Sequence, residues 1–529
     1  MHKNIKSESV LPINNHSSLL YKFSAMNNTI TKQEIGLDPA DWNDIKTLGY
    51  QIIDDMVDYL KNVGDRKVWT PIPQEVKNEF KKPIPRQPSD IFDVYKEFKQ
   101  NVLPYPGGNI HPKHFAWVQG TGTPMGAFAD LLAGIMNNNS TIADQSALYV
   151  DKQVINWCKE LMNYPKDGSG ILVSGGSIAN ITGLIVARNT IIANSKNAGV
   201  YVANGKLTAY CSAETHNCIS KAAEVIGIGN EQLRKIPVND EYQIDVEALK
   251  SKIREDKESG CIPFCIIGNA GTVNTGAIDP LDELLKIARS ENIWFHIDGA
   301  FGALAKLVPT YKNKLKAIEE ADSVAFDLHK WMYVQYEVGC ILFKNADAHR
   351  NAFANAVNYL IAHERGLAAG PETLSNYGME LSRGFKALKV WMSIKEHGID
   401  KYAMLIEQNI DQAFYLGEQV KKHSSLQLMA DVTMNIVCYR YNPGGLDDDQ
   451  LNVLNKELLM QMQETGVAAP SSTLLNGKYA IRVAITNHRT RRKHLDEMIA
   501  GTIQIGDKLV KTHEAKLFSF DVLTLINHK

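Results

Sequence analysis

A short buried strand followed by a lysine is predicted at Ser323-Val324-Ala325-Phe326-Asp327-Leu328-His329-Lys330-Trp331. The apolar-leaning run from Ser323 to Phe326 is typical of a strand inside an α/β sheet. His329 and Lys330 follow this strand and therefore lie at its carboxyl end, where sheets of this class bind ligands. A lysine amine that loses its proton when desolvated can form a Schiff base with an aldehyde, although most lysines at strand ends are ordinary surface charges.

A second strand with a carboxylate at its end is predicted from Ile293 to Ile297, followed by Asp298 and small residues. Asp298 lies 32 positions before Lys330, which leaves room for one helical crossover to a neighbouring parallel strand. A lysine and an aspartate at the ends of nearby strands suit pyridoxal 5'-phosphate (PLP). The lysine holds the aldehyde as an imine, and the carboxylate keeps the pyridine nitrogen protonated.

A glycine turn upstream of both residues suits a phosphate group. Ser174-Gly175-Gly176-Ser177 separates a predicted strand at Gly170–Val173 from a predicted helix at Ala179–Asn189. The first N–H groups of such a helix are free and its dipole is positive there, so a phosphate ester can bind. A lone Gly-Gly-Ser is most often a plain turn. Its position before Asp298 and Lys330 in the chain favours a phosphate-binding turn here.

The composition is that of a globular protein without a polyanion-binding surface. The 529 residues include 57 basic and 59 acidic side chains, so we expect no nucleic-acid partner. Seven cysteines without a Cys-x-x-Cys pair predict neither a disulfide framework nor a zinc site, and we expect no metal. No apolar run reaches about 18 residues and no signal peptide is evident, so we expect no membrane association and a cytoplasmic location.

These motifs together resemble those of the group II PLP-dependent amino-acid decarboxylases, the family of aromatic L-amino-acid decarboxylase. In that family the stretch matching Asp298-Gly299-Ala300-Phe301 reads Asp-Ala-Ala-Tyr, and the turn reads Ser-Gly-Gly-Ser-x-Ala-Asn. The similarity extends from about Leu37 to about Arg489. It implies an α/β chain of PLP-dependent transferase fold type I, with a mostly parallel central sheet, an N-terminal helical arm and a smaller α+β C-terminal domain. It also implies a homodimer that completes the cofactor cleft.

The resemblance divides the chain into four parts. These are a mobile tail at 1–36, an N-terminal dimerisation arm at 37–122, a large PLP-binding domain at 123–402 and a small C-terminal domain at 403–529. Apolar residues at helical spacing between Ile45 and Leu60 place a helix in the arm. The helical spacing of these apolar residues is equally compatible with a helix that packs on the core of its own chain instead of across a dimer.

Four catalytic residues follow from the resemblance. In the family, the residue matching Lys330 carries PLP, the one matching Asp298 pairs with the ring nitrogen, and the one matching His216 lies flat on the ring. As a lone histidine, His216 would more often be a satisfied polar residue. A loop tyrosine stands 29 positions after the lysine, and an ungapped count places it at Tyr359, with Tyr377 as the fallback proton donor.

The remaining site residues rest on the same resemblance. The predicted cofactor contacts are Gly176, Ser177, His216, Thr272, Asp298, Ala300, His329, Lys330 and Ser382. Ser382 belongs to a segment that reaches the phosphate of the opposite subunit. Trp117 takes the place of a pocket aromatic, or else belongs to the core. Asn139 and Thr141 are predicted substrate contacts.

The substrate's side chain is not determined by these residues. In aromatic decarboxylases the places of Asn139 and Thr141 carry large apolar residues that are contributed across the dimer. Here both residues are polar, which disfavours an aromatic side chain. Arg482 could bind a carboxylate. The alternative, which we favour, is that Arg482 is only a charged residue at the end of a strand.

The predicted function is therefore decarboxylation of an L-amino acid to its amine and carbon dioxide by a PLP-dependent carboxy-lyase, through a Schiff base on Lys330. Two alternatives stay open: an oxygen-using aldehyde synthase on the same scaffold, and a catalytically idle relative that binds PLP. The retained Lys330, Asp298 and His216 favour an enzyme. Synthases tend to replace the loop tyrosine by Phe or the ring-stacking histidine by Asn, so Tyr359 and His216 predict release of the amine.

Overall fold

The structure, a computed structural model, describes residues 36–355 and 363–526, without the side chains of 512–526. Its strands in chain order are β1 His114–Phe115, β2 Ser169–Val173, β3 Leu207–Ser212, β4 Leu233–Ile236, β5 Ile262–Asn269, β6 Trp294–Asp298, β7 Ser323–Asp327, β8 Gly339–Phe343, β9 Leu426–Leu428, β10 Ile436–Tyr441, β11 Ala469–Leu475 and β12 Lys478–Ala484. Its α-helices are α1 Trp42–Lys61, α2 Gln74–Glu79, α3 Ile91–Asn101, α4 Pro124–Met136, α5 Ser146–Leu161, α6 Gly176–Ile191, α7 Ser195–Ala198, α8 Cys218–Val225, α9 Val246–Glu258, α10 Leu281–Glu291, α11 Leu328–Trp331, α12 Ala346–Phe353, α13 Lys386–His397, α14 Ile399–Lys422, α15 Asp448–Thr465 and α16 Arg492–Ile526. Short 3-10 helices lie at Val63–Asp65, Val200–Val202, Asn230–Gln232, Gly302–Leu307, Pro309–Tyr311, Lys316–Glu320 and Leu374–Tyr377.

The larger sheet has the strand order β2-β8-β7-β6-β5-β3-β4. Four of its neighbouring pairs, from β7 to β4, are parallel, and β8 runs antiparallel to both β7 and β2. The predicted α/β fold with a mostly parallel central sheet is therefore confirmed. In this order β6 and β7 are direct neighbours, so the strands that end at Asp298 and near Lys330 finish at the same edge.

Helices cover both faces of this sheet. On one face α6 and α8 bury residues such as Leu184 and Ile219, and on the other α9 and α10 bury Leu249 and Leu284. All five residues of β6 and all five of β7 are buried, as expected for central strands covered on both sides. A phenylalanine in such a strand stabilises the fold by roughly 1.5–3 kcal/mol through burial.

The connection from β6 to β7 differs from the prediction. Instead of one crossover helix, it contains the three 3-10 helices at Gly302–Leu307, Pro309–Tyr311 and Lys316–Glu320. Gly302 and Pro309 interrupt the helical pattern there. Small residues such as Ala303 and Ala305 allow the segment to pack tightly against the sheet, where both are fully buried.

A second, five-stranded sheet has the order β1-β11-β12-β10-β9 and packs with α14, α15 and α16. Its last four strands are antiparallel, whereas β1 joins β11 in parallel, with His114 opposite Ala469. The segment predicted to precede the pocket aromatic therefore forms an edge strand of the C-terminal sheet. This pairing brings Trp117 next to β11 and β12.

By its internal contacts the chain forms two compact units, residues 1–54 and 55–529. The described part of the first unit contains the beginning of α1, and the second contains both sheets. The predicted tail, apart from Gly36, lies outside the described residues, and the predicted domain boundaries stay a prediction. Within the described ranges, no helix combines the length and the apolar character needed to cross a membrane.

Candidate active site

Two carboxylates and a lysine meet at the carboxyl edge of the larger sheet. β6 ends at Asp298, and its parallel neighbour β7 ends at Asp327. The single turn α11 follows, with Leu328 and Trp331 fully buried, and Lys330 lies in the wall of a cavity of about 640 Å³. Asp298 and Asp327 line the same cavity, and Lys330 Nζ lies 2.9 Å from Asp327 Oδ2.

The Ser-Gly-Gly-Ser turn between β2 and α6 forms another wall of this cavity. Because α6 begins at Gly176, the first backbone N–H groups of the helix lack intrahelical partners and point towards the turn. A Cβ atom at Gly176 would lie 2.9 Å from Asp327 Oδ2, so a larger residue would fill the space beside the turn. The turn, with the Ser177 hydroxyl, therefore offers a phosphate cradle that glycine keeps open.

His216 lines the cavity from the segment between β3 and α8. The backbone N–H of Cys218 donates to His216 Nδ1 over 3.2 Å, which orients the ring. Withdrawal from water lowers the pKa of His216. The negative charge of Asp298 acts in the opposite direction but is the smaller effect, so the neutral imidazole is favoured at pH 7. A neutral, oriented ring is suited to stack on a pyridine ring.

Asp298 is held in a defined orientation at the bottom of the site. Its side chain is buried, and Ala300 N donates to Oδ1 over 3.2 Å. The side chain of Asn180 lines the cavity as well. Burial raises the pKa of Asp298, and the positive charge of Lys330 acts in the opposite direction. Asn180 ends the Ser-Gly-Gly-Ser-x-Ala-Asn motif, so a sequence signal for it existed, but no role was predicted.

Arg482 on β12 is a second residue whose place differs from expectation. It is 4% exposed and lines the cavity, so the interpretation as a strand-end surface charge is wrong. Its Nε donates to the carbonyl oxygens of Val273 and Asn274, and its Nη1 donates to that of Trp117. Nη2 is buried and has no hydrogen-bond partner among the described residues. A guanidinium held in this way can accept an anionic group of a ligand.

Most of the predicted site residues lie in this cavity wall. They are Trp117, Gly176, Ser177, His216, Asp298, Ala300, His329 and Lys330. Thr272 is buried beside the cavity, where its hydroxyl bonds with that of Thr275 and accepts from Ala277 N. Its neighbours Gly271 and Val273 line the wall instead.

Three predicted contacts lie away from the cavity wall of the single chain. Asn139 Oδ1 accepts from the backbone N–H groups of Thr141 and Arg383, which joins the segment around Asn139 to the one containing Ser382. The Thr141 side chain is fully buried. Because the resemblance places these contacts across a dimer, their roles stay a prediction.

The predicted loop tyrosine, Tyr359, lies outside the described residues. The fallback donor Tyr377 does not line the cavity, and its hydroxyl donates to Glu372 over 2.8 Å. A different phenol, Tyr336, does line the cavity, with its ring centroid 4.3 Å from that of His329. No sequence motif pointed to Tyr336.

Comparison with known proteins agrees with this geometry. The family model described as "Pyridoxal-dependent decarboxylase conserved domain" matches residues 73–442. The chain belongs to the pyridoxal-dependent decarboxylase family. This decarboxylase is 34% identical to an aromatic-L-amino-acid decarboxylase of Bacillus atrophaeus, over 85% of this chain and 93% of that protein. It is 28% identical to a phenylacetaldehyde synthase of Arabidopsis thaliana, over 87% and 95% of the two chains.

Among solved structures, the decarboxylase resembles Oryza sativa TDC with PLP and tryptamine. The TM-score is 0.81 at 20% identity, over 90% of this chain and 100% of that one. The fold is therefore PLP-dependent fold type I, as predicted. Family membership and the cavity agree on PLP as the cofactor and on a carboxy-lyase that acts on an amino acid.

Proposed function

We propose that the enzyme removes carbon dioxide from an L-amino acid, releases the amine, and carries PLP on Lys330. One observation carries the proposal: Lys330 and Asp298 come from adjacent parallel strands and line one cavity together with His216 and the glycine turn. A scaffold that bound PLP without chemistry would need none of these three side chains at the ends of the strands.

Each of these residues has a task that follows from its surroundings. PLP, when bound, withdraws electrons from the substrate's α-carbon. Asp298 would hold a proton at the pyridine nitrogen, and its burial would strengthen that interaction because the local dielectric is low. His216 would stack on the ring, and the first N–H groups of α6, with Ser177, would hold the phosphate.

Arg482 is the proposed partner of the substrate's α-carboxylate. Its Nη2 is buried and has no partner in the part of the chain that the structure describes, and its other nitrogens donate to backbone carbonyls, so the guanidinium cannot move freely. Trp117, Ser471 and Ser472 line the cavity near Arg482 and are the proposed contacts of the substrate's side chain. This mixed wall accepts an aromatic body with polar substituents. Asn139 and Thr141, whose polarity disfavours an aromatic side chain, do not line this wall in the single chain. We therefore place aromatic L-amino acids, which the name of the Bacillus relative indicates, first in a substrate screen.

The experiment is a screen of the twenty L-amino acids and diaminobutyrate with purified protein and PLP. Carbon dioxide, amine, aldehyde and hydrogen peroxide are all measured. We expect carbon dioxide and amine in equal amounts, and no turnover in Lys330→Ala. Lys344→Ala, which changes a half-exposed lysine paired with Glu320, serves as the matched control and should retain activity. Peroxide stoichiometric with carbon dioxide would identify an aldehyde synthase instead, and PLP binding without carbon dioxide release an idle relative.

We also propose a homodimer in the cytoplasm. α4 leaves five large apolar side chains exposed in the single chain: Phe128, Leu131, Leu132, Ile135 and Met136. An apolar patch of this kind marks a protein interface. All seven cysteines are free, which suits a reducing compartment. Sedimentation velocity tests the dimer, and fractionation of cells with an antibody against the protein tests its location.

A further inference from the structure

Asp327 is a buried carboxylate in the cavity that has no assigned role. It is the last residue of β7, and its side chain is almost completely buried. Its Oδ2 lies 2.9 Å from Lys330 Nζ and 3.8 Å from His329 Nε2, whereas its Oδ1 has no hydrogen-bond partner among the described residues. The nearest cationic partner of this carboxylate is therefore the lysine that carries the proposed chemistry.

Three glycines make room for this carboxylate. A Cβ atom at Gly339 would lie 2.7 Å from Asp327 Oδ1, one at Gly176 would lie 2.9 Å from Oδ2, and one at Gly175 would lie 3.6 Å from Oδ1. Gly175 and Gly176 belong to the turn proposed to hold the phosphate. The ion pair therefore lies directly beside that turn.

We propose that Asp327 is a positioning residue that holds Lys330 as an ammonium in the cofactor-free protein and thereby makes attachment of the cofactor aldehyde depend on pH. The inference rests on the proposed role of Lys330. It assigns to Asp327 a task separate from that of Asp298, which faces the ring nitrogen.

The chemistry of attachment explains the dependence. A protonated lysine has no lone pair, so its ammonium first releases a proton to solvent. The neutral amine then adds to the aldehyde carbon, the carbonyl oxygen leaves as water, and a C=N bond replaces the C=O bond. A carboxylate 2.9 Å away stabilises the ammonium and opposes the first step.

The electrostatics of the lysine agree with this geometry. Burial alone would lower the pKa of Lys330, but the charge and hydrogen bond of Asp327, with a smaller effect of Asp298, raise it. The other titratable groups that face the pair are His216 and Cys218 near the start of α8, His329 on α11, Tyr336 after α11, and Cys340 on β8.

The test measures attachment without relying on turnover. Cofactor-free protein is mixed with PLP over a pH series from about 7 to about 12, which spans the ordinary lysine pKa of about 10.4. It is then reduced with borohydride and digested, and the labelled peptide is quantified. The variants are Asp327→Asn, which keeps the shape, and Asp327→Glu, which keeps the charge. Asp322→Asn is the matched control, because Asp322 precedes the same strand at its other end and pairs with Arg289 over 2.7 Å.

We expect Asp327→Asn to shift the midpoint of labelling at Lys330 to lower pH by roughly 1–3 pH units, because an opposite charge at this distance has effects of that size. Asp327→Glu and Asp322→Asn should stay close to the unsubstituted protein. An unshifted midpoint in Asp327→Asn overturns the inference while leaving the proposed function intact. A label on a different lysine contradicts the proposed function instead.

A second measurement does not depend on the folding of any variant. The unsubstituted cofactor-free protein is acetylated over the same pH series, and the modification of Lys330 is compared with that of the exposed Lys312. We expect the midpoint of Lys330 to lie above that of Lys312. A midpoint below it, as expected for a buried lysine without a counter-ion, overturns the inference.

Discussion

At the scale of single residues, the buried carboxylate of Asp298 supports the sharpest prediction about activity. Asp298→Ala should lower kcat by about 100-fold or more, because a buried group aimed at developing charge has effects of that size. Asp298→Glu should lose less, since it keeps the charge. The measurement is kcat at saturating PLP and substrate, with thermal melting to verify folding. Near-native turnover in Asp298→Ala would refute the proposed pairing with the ring nitrogen.

Arg482 gives a prediction about substrate binding. Arg482→Met should lower kcat/KM by about 10- to 100-fold, chiefly through KM, because a hydrogen bond to a charged group contributes about 1.5–3 kcal/mol. The product amine lacks the carboxylate, so its inhibition constant is the internal control and should change little. An equal loss of affinity for substrate and amine would mean that Arg482 only supports the backbone carbonyls of Val273 and Trp117.

The residues that sequence could predict are those whose neighbours follow from strand order. Lys330 and Asp298 follow buried strands one crossover apart, and parallel strands end at the same edge. Arg482 was misjudged because its partners, Trp117 and Asn274, are hundreds of residues away in sequence. The ion pair of Asp327 with Lys330 depends on the geometry of one helical turn and on the space left by glycines. Neither of these can be predicted from the spacing of apolar residues in the sequence.

At the scale of elements, the sequence predicts the strands of the large sheet well. It predicts the connection between β6 and β7 and the pairing of β1 less well. Buried central strands are continuous apolar runs, so the sequence predicts the bounds of β6 and β7 to within one residue. The crossover between them was predicted as helical but consists of three 3-10 helices, because glycine, proline and close packing override helix propensity. The pairing of β1 with β11 was not predicted, since a two-residue strand has no period.

Tyr359, which lies outside the described residues, supports a prediction about the product. If Tyr359 donates the proton to the substrate carbon, Tyr359→Phe should release less amine and more aldehyde and hydrogen peroxide. A phenol is neutral at pH 7, with an ordinary pKa of about 10, and can give that proton. The assay quantifies amine, aldehyde and peroxide together.

Tyr377→Phe is the matched control for this substitution. Its hydroxyl donates to Glu372, which also accepts from Arg350, so its loss should cost some stability but leave amine release unchanged. If Tyr359→Phe retains amine release without aldehyde, Tyr359 has no part in the mechanism. If Tyr377→Phe produces the aldehyde instead, the fallback donor is the functional one.

At the scale of the whole molecule, buried histidines predict loss of stability in acid. Burial lowers the pKa of both His296 and His349 to about 3, from an ordinary value of 6.5. Below pH 6.5 the unfolded chain therefore binds more protons at these sites than the folded chain, and stability falls until about pH 3. Asp279, whose pKa burial raises to about 6, opposes this trend. Asp151 and Asp298, whose pKa burial also raises, act in the same direction as Asp279.

We expect the free energy of unfolding to fall by a few kcal/mol across this pH range, as measured by urea denaturation. His349→Asn removes one titrating group while keeping a side chain that can hydrogen-bond to Ser169 or to the Tyr377 carbonyl oxygen. It should reduce the slope of stability against pH, whereas His423→Asn, at an exposed histidine, should not. The same slope in all three proteins would contradict the assignment to buried histidines.

The exposed apolar face of α4 predicts how the chain assembles. Ile135 is 73% exposed in the single chain and belongs to the same apolar patch as Phe128, Leu131, Leu132 and Met136. Ile135→Asp places a charge where a second copy would exclude water, so it should convert a dimer into monomers. Because the resemblance places Ser382 and the positions of Asn139 and Thr141 across the dimer, the monomer should also lose most of its activity.

Val453→Asp is the control for this experiment, since Val453 is 68% exposed on α15, away from α4. It adds the same charge at a comparable apolar site and should leave both the dimer and the activity unchanged. Sedimentation velocity gives the mass, and the amine assay gives the activity. A monomeric unsubstituted protein with full activity would refute the dimer. If Ile135→Asp forms an inactive dimer, α4 acts within its own chain, and the cavity described above must be completed by another surface.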